Sequence, residues 1–272
     1  MKLKKLRKIY RILFPTKLSQ KEIFLNDLQS NNLIINYEKI DTFFLLTLFQ
    51  GRQLFLRDFK YSDYLVFNQI FRDEEYKVVA SLLKHSYKQE NHSNVLIDAG
   101  ANVGYATIYL QQKINFDKII CIEPSKDNFE ILKKNIELLD LENEALFLNR
   151  ALADKEGVKF NISNDFRDGK DWSFTTKESD SGEIQGITLN EIVKKNNLQE
   201  INLLKIDIEG AERFIFQNST DLSFLKITKV IVLEIHDEFN IRENIYQILK
   251  NNNFMLIESG ESTIGVNKKY FN

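Results

Sequence analysis

The chain has little that breaks or staples structure: one cysteine and two prolines among 272 residues. A single thiol forms no internal disulfide, so the fold must rest on its apolar core. Cys121 lies within the apolar run KIICIE, where a buried structural thiol is expected rather than a nucleophile. That usage suits a reducing, cytoplasmic compartment. Two prolines leave no material for a flexible, proline-rich interdomain linker. Charge of one sign is also missing, since 37 Lys and Arg face 39 Asp and Glu for a formal net charge of −2. No global field therefore points to nucleic acid or to an acidic polymer as partner. Long hydrophobic runs are lacking as well. The N-terminal stretch MKLKKLRKIYRILFP carries six Lys or Arg before Pro15, and Arg11 interrupts its apolar residues, which excludes a signal-peptide core or a membrane span there. Leu3, Leu6, Ile9 or Tyr10, and Leu13 fall at helical spacing. Residues 1–14 thus read as a basic amphipathic helix, either solvated and packed on the domain or lying on an anionic membrane surface.

What is present is ordinary globular material, 43% hydrophobic and 28% charged, enough for one large domain with an N-terminal extension. Residues 33–57 read as strands, with Gln50-Gly51 turning between FFLLTLF and QLFLR. Helical patterns follow in SDYLVFNQIF and YKVVASLLKHSYK, and the polar KQENHSN marks a junction. The expected division is a basic helical segment over 1–32, an extension of strands and helices over 33–93, and a main domain over 94–272.

From residue 94 the rhythm changes. VLIDAG, KIICIE, ALFLNRAL, LLKIDIEG and VIVLEIH are short apolar runs separated for the most part by helical stretches such as KDNFEILKKNIELL. Continuous apolar strands alternating with helices signal a parallel sheet covered on both faces, the doubly wound α/β class. Ligands of that class bind beyond the carboxyl ends of the strands. The acids fall there: Asp98, Glu123, Asp207 with Glu209, and His236 with Asp237 each end or follow an expected strand.

VLIDAGANVGYATIYL is the most informative stretch, a strand that ends in an acid and turns through Gly100 and Gly104 into a helix. Glycine adopts backbone angles closed to other residues and lets a ligand approach the main chain. A dinucleotide fingerprint places glycines at offsets of zero, two and five. This chain has Gly100, Asn102 and Tyr105 there. Asp98 would also repel a pyrophosphate while favouring a cationic ligand. The Asp-x-Gly-x-x-x-Gly pattern is instead one seen where S-adenosylmethionine is bound. Glu123, nineteen residues after Gly104, then fits as the acid that accepts hydrogen bonds from the ribose hydroxyls. Read singly, Asp98 caps a turn and Glu123 is a solvated strand end; their spacing on consecutive strands favours the cofactor. A rival of another class is a nicotinamide-dependent oxidoreductase. LLKIDIEGAERFIF repeats the device, with Asp207, Glu209 and Gly210 between strand and helix. Those carboxylates orient substrate, bind a cation or accept a proton, or else simply favour a helix N-terminus.

With these motifs in place, and with LRDFKYSDYLVFNQIFRDEEYK, CIEPSKDNFEILKKNI, ALADKEG and GITLNEIV around them, the chain resembles the FkbM family of S-adenosylmethionine-dependent methyltransferases. The resemblance implies a Rossmann-like class I methyltransferase fold: a doubly wound, mostly parallel seven-stranded sheet with an N-terminal α/β extension. It implies methylation of a hydroxyl of a carbohydrate, whether glycan, polysaccharide or glycolipid, or alternatively of a secondary metabolite. Cofactor contacts are expected from Asp98, Gly100, Asn102, Gly104, Glu123, Ser125 and Asp207. A hydroxyl needs a general base, and His236 is the first candidate, with Asp207 and Glu209 beside it. His236 equally reads as a ring fixed by Glu234 or Asp237. The polar loop NDFRDGKDWSFTT offers Trp172 to stack on a sugar face and Arg167 and Asp171 to bond hydroxyls, or is a surface loop anchored by one aromatic. Tyr61 and Asp63 border the acceptor by resemblance alone. Asp207, Glu209, His236 and Asp237 are oxygen or imidazole donors at neighbouring strand ends that could hold a divalent cation, but the sequence does not require one and no compact ligand motif is present. Outside enzymology the alternative is an inactive methyltransferase-like module.

Overall fold

The structure is a computed structural model and describes residues 18–49, 51–86, 93–141, 144–163, 175–179 and 181–271. The chain forms two compact units, residues 1–60 and residues 61–272. The expected boundary near residue 93 is therefore not where the contacts divide. The helices after Lys60, placed with the extension on sequence grounds, belong to the same unit as the large sheet.

In the first unit, helix α1 (Gln20–Ser30) starts at a capping box in which Ser19 accepts from the Glu22 amide and the Glu22 carboxylate accepts from the Ser19 amide. It precedes an antiparallel sheet of β1 (Ile34–Ile40), β2 (Phe43–Leu48) and β3 (Gln53–Arg57). Phe24 of the helix meets Phe44 of the central strand edge-on at 5.3 Å, and Leu28, Leu46, Leu54 and Leu56 complete the buried layer. Alternate residues of β2 are buried, the period of a sheet with one covered face.

The second unit opens with α2 (Asp63–Phe67), which runs into a π-helical turn over Asn68–Arg72, and α3 (Lys77–Ser86). The main sheet then begins: β4 (Val95–Ala99), α4 (Tyr105–Ile114), β5 (Lys118–Ile122), α5 (Lys126–Glu137) and β6 (Ala145–Leu148). After an excursion it resumes with β11 (Ile201–Ile206), α7 (Glu212–Ile215), β12 (Thr228–Glu234), α8 (Arg242–Asn251), β13 (Phe254–Ser259) and β14 (Ser262–Asn267). The strand order is β13-β14-β12-β11-β4-β5-β6. Six strands run parallel, and β14 is reversed between β12 and β13. Every residue of β4 and of β11 is buried, as expected for central strands covered on both faces. The core joins Ile97, Ile120, Leu204 and Ile231 to Ile245 and Leu249 of α8.

The excursion is a second sheet. ALFLNRAL, expected as one strand, divides into β6 and the short β7 (Ala151–Leu152). β7 pairs with β10 (Ile184–Ile187), which continues through β8 (Lys159–Ser163) to β9 (Thr175–Glu178). Helix α6 (Leu189–Lys195), capped by Thr188, leads back to β11.

The chain winds outward from β4 through β5 to β6, then crosses back to β11 and winds the other way. The carboxyl ends of β4 and β11 thus flank the topological switch point, where the two connections part and leave a crevice. Gly100 sits at its rim with φ +80°, and a Cβ there would lie 1.6 Å from the carbonyl oxygen of Asp207. Gly157 has a similar φ of +79° and nothing within 4 Å. Gly157→Ala is therefore expected to lower stability by about 1 kcal/mol, the cost of the left-handed backbone alone. Gly100→Ala is expected to cost about 4 kcal/mol, because overpacking against backbone is added. Urea unfolding of both variants measures the difference; equal losses would contradict the close approach.

Candidate active site

The turn after β4 is held from both sides. The amides of Gly100 and Ala101 donate to the Ile122 carbonyl at the end of β5, and the Asp207 amide donates to the Ala99 carbonyl. At Gly104, with φ +89°, a Cβ would also crowd the terminal methyl of Leu132 of α5 at 2.8 Å. The glycines thus serve close packing of the turn against its neighbours as well as its backbone angles.

Beneath the turn lies Lys205, the penultimate residue of β11. Its ammonium donates to the Gly100 carbonyl at 2.7 Å and lies 3.2 Å from Asp98 and 3.4 Å from Asp207. Burial lowers the pKa of this ammonium, but Asp98 and Asp207 outweigh that and hold it well above the usual lysine value. Asp98 is fully buried, pairs with Lys205 across adjacent strands and accepts a 2.6 Å hydrogen bond from Thr107. It does not line the crevice, so its charge is spent inside the protein rather than on a ligand. Cys121 completes the same row on β5, and burial pushes its thiol up, so it is the structural thiol expected.

Glu123 follows β5, with Oε2 accepting from the Asn102 amide at 2.8 Å and Oε1 from the Ser125 amide at 2.9 Å. Asn102 reaches that position with φ +49°, a left-handed conformation asparagine tolerates. Ser125 caps α5 by accepting from the Asn128 amide. Burial raises the Glu123 carboxyl against those two donations, to about 7.

These elements wall a cavity of about 530 Å³, within the range that holds a drug- or cofactor-sized ligand. Gly100, Asn102 and Glu123 line one side, and Asp207, Glu209 and Glu234 line another. Val66, Gln69, Ile70, Glu75 and Tyr76, from the π-helical turn and its flanks, close a third. Burial and the nearby Asp207 push the Glu75 carboxyl up to about 7. Glu234 is pushed well up, first by Asp207 and then by burial. Among the described residues, six carboxyl side chains face the cavity and Lys205 is the one cationic side chain.

His236 lies behind this wall. Its side chain is inaccessible to solvent, with Nε2 3.3 Å from Glu209 and Nδ1 3.3 Å from Glu212. Burial lowers its pKa, but the two carboxylates outweigh burial and bring it to about 10. A ring protonated on both nitrogens has no lone pair with which to take a proton. The enclosed ring thus favours the second of the two readings, an imidazole fixed in place, by Glu209 and Glu212 rather than by Asp237, whose carboxylate pairs with Arg242.

Gly100, Asn102, Glu123, Asp207 and Glu209 of the anticipated site come together around one cavity. Asp98 lies beneath it, and Tyr61 and Asp63 are not among its lining residues, Asp63 being buried elsewhere. Trp172, Arg167 and Asp171, like the basic segment 1–14, lie outside the described residues. Sequence reasoning missed Lys205, Glu75 and Tyr76. A signal existed for the first, a lysine inside the apolar run LLKI.

A doubly wound sheet with one reversed strand near its edge, and a glycine turn followed by an acid on the next strand, define a class I methyltransferase. Residues 98–256 match the family described as the methyltransferase FkbM domain, and the chain belongs to that family. It is similar to the methyltransferase sdnD of Sordaria araneosa, with 24% identity over 222 residues, 70% of this chain and 81% of that one. It is also similar to the hexuronic acid methyltransferase AglP of Haloferax volcanii, with 24% identity over 171 residues, 62% of this chain and 66% of that one. A methyltransferase FkbM crystal structure from Methylobacillus flagellatus superposes with a TM-score of 0.39 at 14% identity, covering 64% of this chain and 43% of the other. The fold assignment rests on the strand order and not on that superposition.

The buried pair makes a sharp prediction. Lys205→Met leaves Asp98 charged and uncompensated in the core, which is expected to cost about 3–5 kcal/mol. In Asp98→Asn/Lys205→Met the unpaired charge is gone, so the double variant should be more stable than the sum of the single losses by at least about 1 kcal/mol. Additive losses in denaturant unfolding would mean that the two groups do not sense each other.

Proposed function

We propose that this methyltransferase binds S-adenosylmethionine in the cavity at the switch point and transfers its methyl group to a hydroxyl of a carbohydrate. The observation that carries the cofactor reading is Glu123. Its two oxygens are fixed by backbone amides at the mouth of β5, a geometry that presents their remaining lone pairs to a pair of vicinal hydroxyls such as those of a ribose. The amino acid portion and sulfonium then lie toward Gly100 and Asp207, in an acidic wall that suits positive charge. The named substrate of AglP, a hexuronic acid, supports a sugar acceptor.

In the reaction the acceptor oxygen forms a bond to the methyl carbon while the carbon–sulfur bond breaks, its electron pair staying on sulfur. Most of the protein's contribution to such an in-line displacement is orientation. The hydroxyl proton must leave to a base within hydrogen-bond reach. With His236 enclosed between Glu209 and Glu212, the carboxylates of Asp207 and Glu209, which line the cavity after β11, are the groups placed to receive it. Val66, Gln69, Ile70, Glu75 and Tyr76, which also line the cavity, border the acceptor.

Calorimetric titration with S-adenosylmethionine, and separately with NAD, tests this reading. Heat is expected from the first alone, and heat from NAD alone would return the turn to an oxidoreductase. The pH dependence is specific. A carboxyl with a folded-state pKa of about 7 is protonated at pH 6 and ionised at pH 8, with the ionised fraction rising about tenfold. If the ionised form holds the ribose, affinity rises on the order of tenfold across that interval, and Glu123→Gln is weak and flat. A wild-type affinity independent of pH would argue against Glu123 as the ribose acceptor.

A further inference from the structure

The ends of β11 and β12 carry a second arrangement that methyl transfer by itself does not explain. Asp207, Glu209 and His236 each place one donor atom so that all three lie within 4.8 Å of one another. Ligands on opposite sides of one ion with bonds of about 2.1–2.4 Å are about 4.2–4.8 Å apart, and neighbouring ligands are about 3.0–3.4 Å apart. The 3.3 Å between His236 Nε2 and Glu209 Oε2 matches the shorter spacing.

What separates this group from an ordinary acidic rim is the imidazole. His236 is enclosed, with Nε2 turned toward Glu209 and, at 3.9 Å, toward Glu234. Its Nδ1 faces Glu212, a fully buried carboxylate whose other oxygen accepts from the Ile208 amide at 3.0 Å. A carboxylate behind one ring nitrogen, itself anchored by backbone, is how proteins orient an imidazole that ligates a metal through the other nitrogen. Asp207, Glu209 and Glu234 also line the cavity, so an ion held here would keep open positions toward the bound ligand. The cavity lining sets six carboxyl side chains, three of them with raised pKa values, against the single ammonium of Lys205.

We propose that Asp207, Glu209 and His236 form a binding site for a divalent metal ion, with Glu234 as a further oxygen donor and Glu212 as the residue that orients the ring. One nitrogen with two or three oxygens suits Mn2+ or a similar first-row ion better than a thiophilic one. The inference stands on the donor geometry, and it deepens the proposed function only in naming what would hold the acceptor oxygen and ease loss of its proton. A proton or a metal ion on Nε2 alike prevents the ring from acting as a base.

The test is titration of the full chain with Mn2+, followed by calorimetry and by electron paramagnetic resonance with detection of nitrogen coupling. The expected result is saturable binding of one ion per chain with an imidazole nitrogen in its coordination sphere. Affinity should fall at least about tenfold in Glu209→Gln and in Asp207→Asn, and remain within about twofold in Glu130→Gln, an exposed carboxyl of α5 outside the cavity. Glu209 is partly exposed, so its variant keeps the test available if His236→Gln does not fold. Absence of saturable binding, binding without nitrogen coupling, or binding indifferent to Glu209→Gln would each overturn the proposal. So would glucosamine binding at these carboxylates in protein that takes up no Mn2+, since they would then serve an organic cation. S-adenosylmethionine binding, measured on the same samples, reports separately on the methyltransferase reading.

Discussion

The ends of the two central strands depend on the buried ammonium of Lys205. An ion of that size taken out of water costs several kcal/mol unless charge and hydrogen bonds return most of it. The return comes from Asp98 directly across the strand pair, from Asp207 two residues on, and from the Gly100 carbonyl. Meeting all three at once sets the position of the turn. It draws the Gly100 backbone against the Asp207 carbonyl, and only a residue without a Cβ fits that gap. The same contact fixes where the Asp207 carboxylate enters the cavity. The glycine, the two aspartates and the lysine are therefore one device that joins both halves of the sheet at the edge of the cavity.

Much of this was legible and some of it was not, for a physical reason. The alternation of apolar runs with helical stretches identified the doubly wound sheet, and the separation of Gly104 from Glu123 placed the second acid on the adjacent strand. Both signals are local or span one strand-helix-strand unit. The pairing of Asp98 was not legible because its partner stands more than a hundred residues away, and only the parallel register Asp98 to Lys205 reveals that the two share a face. His236 was left between two readings for a similar reason. A histidine at a strand end reads as available until the fold brings Glu209 and Glu212 to its two nitrogens.

ALFLNRAL shows the limit within a single motif. An apolar run reports burial, not which sheet does the burying. Here the first four residues pair with β5 and the last two with β10, with Asn149 and Arg150 between them. Asn149 reaches back to the carbonyls of Glu123 and Pro124, so the break between the two sheets supports the loop that presents Glu123. A feature that looks like an interruption of the fold is thus a support for the site.

The charge of the cavity wall has opposing effects on the proposed reaction. At 4 Å and an effective dielectric near 20, one pair of unit charges interacts by about 4 kcal/mol, so even a third of that is a tenfold preference. An acidic wall accordingly favours a sulfonium over the neutral thioether that remains after methyl transfer, which helps retain the reactant and release the product. The same field opposes the negative charge that develops on the acceptor oxygen as its proton departs. Two arrangements reconcile these demands. The proton can pass to a wall carboxylate as the oxygen–carbon bond forms, so that no free alkoxide accumulates. Alternatively a cation among Asp207, Glu209 and His236 holds the oxygen and reverses the local field. The second arrangement also admits an acceptor that carries its own carboxylate, which the bare wall would repel. A wall that favours the methyl donor in this way thus also limits which acceptors the cavity can serve without a cation.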